Sequence, residues 1–184
     1  MRNIYAKNFF NRVLSNSVSN NWDRAVLEWE ITGSKEDDLC ETSCICGKEN
    51  IRYIFEITNK KNKQKLYPVG SSCIKKFKRN DLNEETSIYK KLYILENAVH
   101  ENSFITLSSD YFSRKLLKFF YDNSAFNDGK YDAKTNYDFI LDMFNKRDKS
   151  SITLKQKKKI TAIILSDIIP FVKKKLNKAR SDEL

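Results

Sequence analysis

The chain contains one histidine, two prolines and four glycines in 184 residues. A single imidazole, His100, excludes every scheme that needs two. A Ser-His-Asp or Cys-His mechanism would have to run through His100, whose neighbours Glu96, Asn97, Ala98, Val99 and Glu101 read as a helix end. So few glycines and prolines exclude collagen-like and loop-rich, disulfide-stapled architectures. No glycine falls in the G-x-x-x-x-G-K spacing that cradles a phosphate. Long apolar runs are absent too. The most apolar, Ile160 to Val172, is 13 residues long and holds Thr161, Ser166 and Asp167. A bilayer core needs about 20 apolar residues. Residues 1–10 lack the apolar run and cleavage site of an export signal. The terminal Ser181-Asp182-Glu183-Leu184 has the form of a retrieval signal, which means nothing without export. The expectation is a cytoplasmic protein. Cysteines in that compartment stay reduced, so metal binding outranks disulfides for the four present.

Apolar material is not short. Hydrophobic residues make up 40% of the chain, with 12 Phe, 9 Tyr and 2 Trp. That is enough for a folded core and excludes wholesale disorder. The length suits one domain, or two small ones. Lys and Arg number 34 against 24 Asp and Glu, a formal net charge of +10. An excess of this sign suits a polyanionic partner, although AT-biased codon usage also enriches lysine. The charge is uneven. Residues 28–41 hold six acids against Lys35, whereas residues 60–79 hold eight bases and no acid.

The hydrophobic period changes along the chain. Ile4, Phe9, Phe10, Val13, Leu14 and Val18 are loosely helical. Ala25, Leu27, Trp29 and Ile31 then alternate with Glu28 and Glu30, which predicts a half-buried strand. Ile51, Tyr53, Phe55 and Ile57 predict a second strand. Leu66 to Val69 predicts a third, at a sheet edge because Pro68 has no amide to donate. From Asn83 the period is helical, with Ile88, Leu92, Leu95 and Val99 on one face. Phe112, Leu116, Phe119 and Phe120 mark a second helix, with Ser109 or Asp110 to cap it. Tyr137, Ile140, Leu141 and Phe144 mark a third. Thr153 and Gln156 form a capping box for a fourth, which Pro170 should kink or end. The expected fold is α+β. A small zinc-stapled antiparallel β unit with an N-terminal helix occupies 1–82, and a bundle of about four helices occupies 83–184.

All four cysteines lie within 34 residues, as Cys40-x3-Cys44-x-Cys46-x26-Cys73. A tight knuckle at Cys44-Ile45-Cys46-Gly47 and a return through Gly70-Ser71-Ser72-Cys73 would converge across a hairpin. Zinc takes four such thiolates in a tetrahedron. The alternatives are four buried thiols without metal, or a redox pair. A site of four thiolates is saturated, so the expected zinc is structural, not catalytic. The His-x-Glu and Pro-Cys-x-x-Cys layout of zinc deaminases is absent. Cys40 is the weakest of the four ligands: the alternative leaves it free, with a water or another side chain completing the site, for which His100 is a candidate.

The run Cys44-Ile45-Cys46-Gly47-Lys48, then Ile51-Arg52-Tyr53, Asn59 and Val69-Gly70-Ser71-Ser72-Cys73-Ile74-Lys75-Lys76-Phe77, resembles a zinc-ribbon-like module. Such modules recur in small proteins of phages and mobile elements of low-GC bacteria. Phe144-Asn145-Lys146-Arg147 and Thr153-Leu154-Lys155-Gln156 are similar to the helical tail often paired with it. The resemblance covers about half the chain. It carries metal ligands onto Cys44, Cys46 and Cys73, with Cys40 matching less closely. It implies a zinc-bearing accessory protein in the cytoplasm of a bacterial host, handling nucleic acid or nucleoprotein, with no chemistry of its own. The whole chain is also similar to type II-A anti-CRISPR proteins, which implies inhibition of a host RNA-guided nuclease.

The basic residues suggest where a partner would sit. Lys60, Lys61, Lys63 and Lys65 decorate the hairpin turn, and Lys75, Lys76, Lys78 and Arg79 follow Cys73. Zinc would gather both groups at one end of the module. Tyr53, Tyr67 and Phe77 lie among them, and cations mixed with aromatics suit phosphate contact plus base stacking. The alternative keeps the aromatics in the core and the lysines in water. A second cluster brackets the last helix: Lys155, Lys157, Lys158 and Lys159 at its start, Lys173, Lys174, Lys175, Lys178 and Arg180 at its end. The second group is favoured by the helix dipole; the first opposes it. The expected function is non-enzymatic binding of nucleic acid or a nucleoprotein machine. A chain of +10 would inhibit a nuclease by some route other than DNA mimicry. The competing readings are a general nucleic-acid-binding accessory protein and a metal-dependent nuclease, for which Glu28, Glu30, Glu36, Asp37, Asp38, Glu41 and Glu56 would supply carboxylates.

Overall fold

The computed structural model describes residues 4–126 and 132–181, with side chains as far as Leu176. Residues 182–184 and the side chains of Lys178 and Arg180 lie outside the described set. The architecture is α+β, as the change of period predicts. The chain divides into two compact units, Met1–Tyr89 and Lys90–Leu184. Among the described residues no helix is long and apolar enough to cross a membrane.

The first unit is a three-stranded antiparallel sheet in the order β1-β2-β3, with helices packed on it. Helix α1 (Ile4–Ser15) buries Phe9 and Val13, four residues apart on one face, and leaves Ile4 exposed. Strands β1 (Trp29–Glu36), β2 (Tyr53–Asn59) and β3 (Lys65–Gly70) pair Trp29 with Asn59 and Ile54 with Gly70. The central strand buries Ile54 and Phe55 in succession, so both of its faces are covered there. Phe77 is fully in this core. It packs edge-on to Phe9 at 5.4 Å and stacks on Trp22 at 5.9 Å.

The alternation at 25–31 does not begin a strand. Trp22–Ala25 is one turn of helix (α2), Val26–Glu28 is a 3-10 turn, and β1 starts only at Trp29. Leu27 is therefore exposed and Glu28 buried, the reverse of what period two predicts. The carboxylate of Glu28 accepts from the Val18 amide at 2.7 Å, the Ser19 amide at 3.0 Å and Asn59 Nδ2 at 2.8 Å. Lys61 reaches it at 3.3 Å. The buried charge is thus paired and hydrogen-bonded, the condition for tolerating it.

β3 is the edge strand that Pro68 predicts. After it, α3 (Ser71–Ile74) and a 3-10 turn lead into α4 (Asn80–His100), whose early turns bury Leu82. The second unit begins within α4, at Lys90, and buries its Leu92 and Leu95. Helix α5 (Arg114–Asp122) is capped by Ser113, which accepts from the Leu116 amide at 3.1 Å, and not by Ser109 or Asp110. Helix α6 is Ala133–Asn145 and α7 is Leu154–Ile163, the latter opened by the Thr153–Gln156 capping box. Pro170 neither ends nor sharply interrupts the last helix. A π turn over Ile164–Ile168 runs unbroken into α8 (Ile169–Ser181), and its widened hydrogen-bond register accommodates Pro170, which has no amide to donate. Phe171 packs edge-on to Phe119 and Phe120, at 6.1 and 5.7 Å.

Candidate metal centre

The loop between β1 and β2 is built by short-range chemistry. Asp37 accepts from the amides of Leu39 (3.2 Å), Glu41 (3.0 Å) and Thr42 (2.9 Å), and from the Thr42 hydroxyl (2.7 Å). The Thr42 hydroxyl and amide, foremost among these donors, hold its carboxyl below the usual carboxylate range. Beyond it the knuckle closes through Gly47 N donating to Cys44 O at 2.7 Å, with Gly47 at φ +90, a conformation that suits glycine. The knuckle docks on the outer edge of β3. Ile45 N donates to Pro68 O at 2.9 Å, and Gly70 N donates to Cys44 Sγ at 3.2 Å. A Cβ on Gly70 would meet Ile51 Cγ2 at 3.3 Å, so glycine keeps this approach close. Asn8 of α1 pins the knuckle from the other side, donating to Cys46 O at 3.1 Å.

Three of the four cysteines converge. The sulfurs of Cys44, Cys46 and Cys73 all lie within 4.8 Å of one another, and all three residues are buried. None is in a disulfide. Cys44 Sγ and Cys73 Sγ are 3.7 Å apart, far beyond the S–S bond length of about 2.05 Å. Tetrahedral zinc with Zn–S of about 2.3 Å would set its sulfurs about 3.8 Å apart, so the spacing fits a shared ion. Cys40 stays outside this group, on the Asp37 turn, half-buried and at φ 53. His100 is exposed at the end of α4 and is not in the group either.

The thiols polarise one another. The Cys73 thiol, together with the amides of Cys46 and Gly70, outweighs burial and holds Cys44 down at about 5. The same pair pushes Cys73 up, because its proton is shared toward Cys44 and burial disfavours a second charge. Lys76 Nζ lies 3.6 Å from Cys73 Sγ and 5.9 Å from the Phe9 ring centre. Cys44, Cys46 and Cys73 line an open cavity of about 470 Å³ together with Lys48, Arg52, Lys76, Tyr5 and Tyr53.

The basic residues that sequence places around this centre are divided. The turn with Lys60, Lys61 and Lys63 lies at the opposite end of the β2–β3 hairpin from the thiols, since Thr58 pairs with Lys65 and Ile54 with Gly70. The metal site therefore does not gather both groups. Lys61 pairs with Glu28, and Lys65 with Glu56 at 3.0 Å. Arg79 pairs with Asp81 and donates to the carbonyls of Val26 and Trp29 at 2.9 and 2.5 Å. Tyr67 is 47% exposed, Tyr53 half-buried and Phe77 buried, so of the three aromatics only Tyr67 stands well clear of the core. Of the acids, Glu36 and Asp38 pair with Arg52. Sequence reasoning missed Lys48 and Arg52 as neighbours of the thiols. Their closeness to the knuckle, at four and six positions from Cys44 and Cys46, was the available signal.

No family model, curated protein or solved structure matches the chain.

Proposed function

We propose that the first unit is a zinc module and that the chain uses it to bind nucleic acid or a nucleoprotein, without chemistry of its own. The observation that carries the metal half is the convergence of three buried thiols from two segments, Cys44 and Cys46 before β2 and Cys73 after β3, onto one centre. Zinc is the ion of choice because thiolates at that spacing suit a tetrahedral d10 ion and the cytoplasm keeps them reduced. The net charge of +10 supports the polyanion half. The reading without chemistry is supported by the carboxylates Glu28, Glu36, Asp37 and Glu56, held in hydrogen bonds and ion pairs, a poor starting point for a nuclease.

Elemental analysis of the purified chain should give about one zinc per molecule. Cys73→Ser should lose it, and Cys40→Ser should keep it. Zinc retained after Cys73→Ser would overturn the assignment. For the polyanion half, retention on immobilised single- or double-stranded DNA should fall steeply with salt. A host nucleoprotein such as an RNA-guided nuclease is the larger partner this reading allows. Its cleavage of target DNA should slow when the chain is added.

A further inference from the structure

The sequence reads as a saturated four-thiolate site, but the fold assembles three thiols. Among the described residues no other cysteine, histidine or carboxylate joins Cys44, Cys46 and Cys73 within 4.8 Å. The three cysteines border a cavity on one side. It measures about 470 Å³, and its lining includes Lys48, Arg52 and Lys76 but no aspartate or glutamate. Arg52 is already paired with Glu36 and Asp38. The positive charge facing the cavity therefore comes from Lys48 and Lys76. Ser71 and Ser72 also line it, as do Tyr5 and Tyr53. A tetrahedral ion on three thiolates has one position left, and here that position would face a basic, hydroxyl-bearing cavity.

We infer that the fourth coordination position of this centre takes an exogenous oxyanion of the phosphate class, held by Lys48 and Lys76. The inference rests on the metal reading of the three thiols. A divalent ion with three thiolates carries net charge −1, and Lys76, 3.6 Å from Cys73 Sγ, offsets it. Lys48 then remains to meet the incoming anion. Phosphate oxygens accept from both the ammonium groups and the serine hydroxyls, which a neutral ligand would leave unmatched. The same chemistry arrives as free phosphate or as a nucleic-acid backbone.

Cobalt(II) substituted into the full chain reports the donor set through its visible bands and its sulfur-to-metal charge transfer. Titration with inorganic phosphate should shift the visible bands saturably, while equal ionic strength of sodium chloride should not. Lys48→Gln should raise the half-saturating phosphate about tenfold. Cys40→Ser should leave the starting spectrum unchanged. A short oligonucleotide acting at lower concentration than phosphate identifies the backbone as the source; equal or weaker action identifies free phosphate. The inference is overturned if phosphate leaves the bands unmoved, if Lys48→Gln responds like the parent, or if the starting spectrum shows four thiolates and Cys40→Ser removes one. Failure to take up cobalt at all would instead sink the metal assignment beneath it.

Discussion

Glu28 shows how far a single residue can depart from its sequence pattern. In the row Ala25, Leu27, Trp29, Ile31 it occupies an outward position, yet it is 1% exposed. Period two holds only along a strand, and the chain at 26–28 is a 3-10 turn. Nothing local in the sequence announces the partners that keep the charge inside, because they come from loop 16–19 and from Asn59 and Lys61. Burial raises the Glu28 pKa. The bonds from Asn59, Val18, Ser19 and Lys61 outweigh it and set the folded value below the ordinary 4.5. A carboxyl depressed on folding stabilises the protein above its unfolded pKa. That stability is lost as pH falls through the depressed folded value. Urea midpoints should therefore drop on acidification below pH 4.5. Glu28→Gln should lower the neutral-pH stability by about 1–3 kcal/mol and flatten that acid limb. An unchanged acid limb in the variant would place the titrating groups elsewhere.

At the scale of elements, legibility followed the length of the periodic signal. The helices α4, α5 and α6, the long helix that α7 and α8 form across the π turn, and the two strands with clear boundaries, β2 and β3, are readable because each carries its own period or punctuation. The Thr153–Gln156 box is a local motif and forms as read, with Thr153 N donating to Gln156 Oε1 at 2.9 Å and Gln156 N to Thr153 Oγ1 at 3.3 Å. Thr153→Ala should cost about 1 kcal/mol in denaturant unfolding. The cap of α5 is ambiguous in the sequence because Ser109, Asp110 and Ser113 all offer a suitable oxygen; the chain stays non-helical through Phe112, and Ser113 takes the role. Pro170 signals a break because the sequence does not reveal the π turn that absorbs it. The knuckle is visible through Cys44, Cys46 and Gly47, but the limit of the cluster to three thiols is not: spacing alone cannot tell Cys40 on the Asp37 turn from a member of it. Gly47→Val forces a β-branched residue into φ +90 and should weaken metal retention in a chelator-competition assay, while Gly33→Ala, set in β1, should not.

For the whole molecule, the +10 charge is the property a partner meets first. It is already net of the ion pairs within the chain, in which Lys61, Lys65 and Arg79 each face an acid of their own unit. Apart from Lys76 beside the thiols, Lys60, Lys63, Lys75 and Lys78 are the better candidates among the 60–79 bases for contact with phosphates. Reversing each to glutamate should weaken DNA retention and lower the slope of log affinity against log salt by about 1 per lost phosphate contact. Reversing Lys61 should chiefly lower stability. Long incubation of the chain with Mg2+ and single- or double-stranded DNA should yield no cleavage products; their appearance would return the carboxylates to the centre of the account.

The docking of the knuckle on β3 has one more consequence. Ile45 N and Cys44 Sγ occupy outward-facing groups of Pro68 and Gly70, so the loop serves as a cover over an otherwise free strand margin. Uncovered margins of this kind template strand pairing between molecules. If the ion tethers the knuckle to Cys73, chelation should let the cover lift. The stripped protein should then self-associate in a concentration-dependent manner before it unfolds, which sedimentation with and without chelator would register.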